Sequence, residues 1–232
     1  VMQMMDKAVI FVVEGKTDKT ALENIFKKIY RHKDIQFEFT RGDITSDENI
    51  TEEKVKEEIY KIVKKYMDYA KLKKSNVFQI IQIFDTDGTY IDESHIMEGD
   101  TEEFVYSETE ISCKYPERVK ARNIHKKELM NFLLGEKEIE NIPYECYFMS
   151  CNLDHVLYNK NNLTDAEKEK YADKFQQMFI GKEERFIPYI KNLAAKDMPK
   201  SHPGSWRYIK EERHSLERNS NLGIYFDRNP LL

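Results

Sequence analysis

The sequence predicts an α/β protein: a parallel sheet of about four strands flanked by helices, followed by a mainly helical C-terminal part. Three observations carry this. Short apolar, β-branched runs alternate with helical periodicities through roughly the first 90 residues. Two of those runs stop abruptly at acidic residues, Glu14 and Asp85. Beyond residue 152 the pattern turns largely helical, and with only 8 Gly and 6 Pro in 232 residues nothing reads as a linker.

AVIFVV (8–13) is continuously apolar and short, the pattern of a strand buried on both faces. In 17–30, Ala21, Leu22, Ile25, Phe26 and Ile29 recur at helical spacing. IQFEFT (35–40) alternates as a second strand, and RGDITSDEN is turn chemistry. From residue 51, Val55, Ile59, Ile62, Val63 and Tyr66 mark a second helix with acids in its first turn. NVFQIIQIF (76–84) is a third strand running into DTDG, and YECYFMS is a fourth. Between them lie an acidic stretch and a basic helix over 116–134. Further helices are expected at 155–158, 166–180, 183–193 and 205–218. The division is therefore an α/β core over 1–150, with a charged insertion at about 89–135, and a helical part over 151–232 packed on it.

The net charge of -5 gives no bulk signal for a nucleic-acid partner, but charge is segregated along the chain. Residues 92–110 hold eight acids and no Lys or Arg, whereas 114–127 hold six Lys or Arg against Glu117 alone. Two solvated faces would explain this, and so would a basic helix contacting a phosphate backbone. Cys113, Cys146 and Cys151 lack CxxC spacing, which suits a reducing, cytoplasmic setting. No apolar run approaches the roughly 20 residues that span a bilayer.

VVEGKTDKT (12–20) contains the Gly-Lys-Thr of a phosphate-binding loop, yet that loop needs a glycine where Ile10 stands, inside the strand. Glu14 would also repel an anion. If the first and third strands are neighbours, Glu14, Asp85 and Asp87 meet at one sheet edge, where open α/β sheets bind ligands. Carboxylates so placed suit a hard divalent cation, magnesium or manganese. Glu14 can complete the site or move a proton.

VVEGKTD and IIQIFDTDG, in this order and strand context, resemble the motifs of the Toprim domain of topoisomerases, primases and OLD-type nucleases. YFMSCNLDHVLY (147–158) resembles the corresponding step in RloB-like and abortive-infection Toprim proteins, with Asp154 where Glu is usual. The resemblance implies a metal-dependent nuclease with Glu14 as general acid/base, Asp85 and Asp87 as metal ligands and Asp18 in support. It also implies a link to phage defence and a partner ATPase; a non-catalytic adaptor docking on that ATPase is the alternative. For nucleic-acid contact the sequence offers Lys16, Arg41, Arg118, Lys120 and Arg122. His155 reads as a core or capping residue, and Trp206 and Tyr208 read as core rather than base-stacking platforms.

Overall fold

A computed structural model describes residues 7–30, 35–41 and 44–229, with the backbone alone for 35–41. Strand β1 (Lys7–Val13) leads into helix α1 (Lys16–Ile29), and β2 (Ile35–Arg41) into α2 (Glu52–Ala70), before β3 (Val77–Asp85). The chain then makes a small sheet from β4 (Ile96–Glu98), β5 (Val105–Tyr106) and β6 (Ile111–Cys113). Helix α3 (Pro116–Gly135), β7 (Glu138–Ile139) and β8 (Ile142–Met149) follow. Helices α4 (Leu153–Tyr158), α5 (Asp165–Met178), α6 (Phe186–Lys191), α7 (His202–Ile209) and α8 (Leu222–Arg228) complete the described chain.

The main sheet has the order β2-β1-β3-β8-β7. Its first four strands run parallel and β7 pairs antiparallel to β8. β1 and β3 are therefore neighbours. The chain leaves β1 in one direction to make β2, then returns to the other side for β3. A crevice opens outside the strand ends where the crossovers diverge, and the loops after β1 and β3 lie there.

Both sheet faces are covered, which is why β1 and β3 are apolar almost throughout. On one face Val9, Phe11, Ile81 and Tyr147 pack with α1 and with Tyr225 and Phe226 of α8. Phe11 and Tyr225 meet edge to face at 5.4 Å, so the C-terminal helices share a core with the first strand. On the other face Ile10, Ile80, Phe84 and Phe148 pack with α2, α3 and Trp206 of α7. Trp206 is core, as its sequence context predicts.

The acidic stretch contributes the small sheet. Two expectations need correction. The helix expected over 205–218 ends at Ile209, and the chain continues through turns to α8, which the sequence pattern does not predict. The helix expected over 183–193 is a single 3-10 turn followed by the short α6. No helix among the described residues is long and apolar enough to cross a membrane, and all three cysteines are free and buried.

Candidate functional site

Glu14 follows the last residue of β1, and Asp85 is the last residue of β3. The Asp85 amide donates to Glu14 Oε1 at 3.2 Å, linking the two strand ends directly. The other side of Asp85 faces α4, whose Leu153 amide donates to Asp85 Oδ1 at 2.9 Å. Asp18 lies one turn into α1 and caps it, accepting the Gly15 amide at 2.7 Å. Four carboxylates thus gather at the crevice edge.

The DTDG turn is held from below. Thr86 is fully buried; its amide donates to Met149 O (3.0 Å) and its hydroxyl to Ser215 O (2.7 Å). The Asp87 amide donates to Cys151 O, and the Gly88 amide to Ser215 O at 3.2 Å. Asp87 and Gly88 both have positive φ, 48° and 65°. Asp tolerates that region better than most residues, and glycine at 88 is favoured for a second reason: a Cβ would lie 2.5 Å from Leu216 Cδ2 and 2.8 Å from Ile111 Cδ1, so those side chains would have to shift.

Two cations from α3 enter this cluster. The Lys126 side chain is completely buried, and its ammonium donates to Glu14 Oε1 at 3.2 Å and Asp87 Oδ2 at 2.5 Å. Arg122, 13% exposed at its side chain, donates from Nη2 to Asp87 O (2.9 Å) and from Nη1 to the Tyr106 hydroxyl (3.0 Å). Its guanidinium also lies over the Phe104 ring, 5.1 Å from the centroid. The small sheet therefore covers Arg122, which in turn fixes the backbone of the Asp87 turn.

Electrostatically the edge is crowded with negative charge. Burial, together with Glu14, Asp18 and Asp87, holds the Asp85 carboxyl well above the ordinary carboxylate range, against the opposing pull of Lys126. Behind it, Asp154 on α4 is buried with one carboxyl oxygen lacking any hydrogen-bond partner. Burial, reinforced by Asp18, pushes its pKa up to about 6 although Lys168 lies 3.9 Å away. His155 is buried as the sequence predicts, with its Nε2 3.3 Å from Glu108.

The structure therefore brings Glu14, Asp18, Asp85 and Asp87 together. Lys16 points elsewhere, to Glu169 of α5 at 3.1 Å. The backbone of Arg41 lies opposite Val13 at the same sheet edge; its side chain lies outside the described residues, as does Asp43. Arg118 donates to Glu102 O, and Lys120 sits between Glu93 and Glu117. With Arg122 turned inward, the basic residues of α3 do not form one unpaired cationic strip. Lys126 and Thr86 are the site residues the motif search passes over. The helical stripe Val119, Asn123, Lys126, Met130, Leu133, all buried, could have found the lysine: it places two polar residues at core positions.

Among the described residues no group of three or more His, Cys, Asp or Glu side chains is arranged to hold a metal ion. The Lys126 ammonium lies between Glu14 and Asp87. No family model matches the chain, and no curated protein or solved structure is significantly similar to it.

Proposed function

We propose that the protein is a magnesium-dependent nuclease of Toprim type, cleaving phosphodiesters at the β1/β3 edge. One observation carries the reading: two neighbouring parallel strands end in Glu14 and Asp85, joined by a hydrogen bond, with Asp87 two residues on. The donor chemistry fits a hard divalent ion. Four carboxylates outnumber the two cations Lys126 and Arg122 here, and the Asp85 carboxyl, raised by burial and then by its carboxylate neighbours, is one that an added cation relieves. Asp85 and Asp87, with Glu14, would hold the ion, which supplies charge stabilisation at the scissile phosphate.

The remaining roles fall to the chain itself. Glu14 accepts or returns the proton of the attacking or leaving oxygen. Lys126 holds Glu14 and Asp87 in register by bonding both. Arg122 positions Asp87 through its carbonyl, and Asp18 keeps Gly15 turned at the helix start. The acidic edge excludes a bare phosphate unless a cation accompanies it, so Lys16 is not part of a nucleotide loop.

The test is Glu14→Gln, which keeps the shape and removes the acid/base function. Cleavage of a labelled oligonucleotide in magnesium or manganese should fall by about 100-fold or more, with binding retained. Calorimetric ATP binding abolished by Lys16→Ala would instead establish a phosphate loop. Absence of hydrolysis by the wild-type chain across a screen of DNA and RNA substrates and metals would defeat the nuclease reading.

A further inference from the structure

A cavity of about 280 Å3 opens between α4, α5 and α6. Its wall includes Tyr158, Tyr171, Phe175 and Tyr189, with Lys174 and Arg218 among its polar residues. Tyr158 and Tyr171 lie nearly parallel, 5.6 Å between centroids and 21° apart, and Phe175 stands edge-on to Tyr158 at 5.5 Å. Tyr158, Tyr171 and Tyr189 are only half-buried. The cluster is kept open beside solvent instead of closed into the core like Trp206, which leaves ring surface available for stacking.

Three further features indicate what it stacks. Lys174 is exposed at the cavity rim. Arg218 is anchored by its Nε to the carbonyls of His155 (3.1 Å) and Val156 (3.0 Å), which fixes a second cation beside the rings. The Tyr158 hydroxyl is buried without a hydrogen-bond partner, which is costly unless a ligand group or water meets it. Rings, two cations and an unsatisfied hydroxyl suit a flat heterocycle carrying a phosphate. The volume, near the lower end for small-ligand pockets, suits one ring system rather than a length of duplex.

The position is also informative. Tyr158 lies five residues along α4 from Leu153, whose amide binds Asp85, or about 7 to 8 Å by helical rise.

We propose that this aromatic cavity receives an unpaired nucleobase adjacent to the cleavage site, so that the substrate is single-stranded or frayed. The inference rests on the nuclease reading for its substrate and adds the strandedness that reading leaves open.

The test is binding, measured by fluorescence anisotropy in EDTA so that it does not depend on cleavage. Labelled single-stranded dT and rU hexamers are compared with a blunt 12-base-pair duplex. Tyr171→Ala should weaken binding of the single strands by about 5- to 150-fold, the contribution of one stacked base, and leave the duplex unaffected. Tyr171→Phe should restore wild-type binding. A hexamer lacking one central base should bind wild type as weakly as the intact hexamer binds Tyr171→Ala, with no further loss on combining the two. Dependence on the sugar of the better hexamer names DNA or RNA as the source of the base.

Equal affinity of wild type and a folded Tyr171→Ala for the single strands, or no binding of either hexamer at millimolar protein, overturns the proposal. Tyr171-dependent binding without any metal-dependent hydrolysis keeps the base pocket and removes the nuclease. Hydrolysis with Tyr171-independent binding does the reverse.

Discussion

Replacing Lys126 with Met keeps the buried apolar stem and removes one charge. The ammonium bridges Glu14 and Asp87 from a position with no solvent exposure. Removing one partner of a buried charge pair costs about 3 to 5 kcal/mol, because the charges left behind lose their compensation. In a chain of this size each kcal/mol is worth about 2 to 4 °C, so the metal-free midpoint should fall by roughly 6 to 20 °C. Glu14→Gln combined with Lys126→Met should recover part of that loss, since a charge is then removed from each side. Manganese should stabilise Lys126→Met more than wild type; a concentration 100 times the dissociation constant contributes about 2.7 kcal/mol. Lys126→Arg, which keeps the charge, should not gain affinity for the metal. The measurements are thermal unfolding with and without manganese and calorimetric titration of the ion. A Lys126→Met midpoint within about 2 °C of wild type, with unchanged metal affinity, would refute the bridging role.

Gly88→Ala should destabilise the protein by about 2 to 4 kcal/mol in urea unfolding, combining the left-handed backbone with the Leu216 and Ile111 contacts; a neutral result would mean the turn can rearrange. Arg122→Met should lower manganese affinity about 10- to 100-fold by loosening the Asp87 turn, while leaving single-strand binding in EDTA unchanged; weakened oligonucleotide binding instead would return Arg122 to phosphate contact. Asp154 has a folded pKa of about 6, raised chiefly by burial. Its contribution to stability is therefore full below the ordinary carboxylate pKa and is lost as the pH rises through 6, amounting to about 3 kcal/mol by linkage. Asp154→Asn should accordingly gain on wild type between pH 4 and 7.5 in metal-free buffer, and a pH-independent difference between the two would be evidence against this.

The strands and helices as far as β3 were legible because their signals are local. A continuous β-branched run can hardly be anything but a buried strand, and 3.6-residue spacing is visible in α1 and α2. Glu14 and Asp85 were legible for the same reason, as acids at the ends of such runs. What escaped depends on tertiary contacts. The strands β4, β5 and β6 have two or three residues each, too few for an alternation to register. After α7 the sequence EERHSLER is helix-prone, yet its carbonyls are wanted elsewhere. Ser215 O accepts from Gly88 and Thr86, and His214 O accepts from Ser150 and Asn219. A continuing helix would have consumed those acceptors internally. The charge block at 114–127 invited a surface reading, but helical phase puts Arg122 and Lys126 against the core. Charge counted along the chain carries no phase.

The clasp between Ser215 and the DTDG turn also orders events in time. β1 and β3 are synthesised long before residue 215, and the turn that presents Asp87, held from Met149, Cys151 and Arg122, gains its last clasp only when that later segment arrives. Ser220 and Asn221 reach the β8 backbone later still. The acidic edge is therefore fully clasped only when almost the whole described chain has been made.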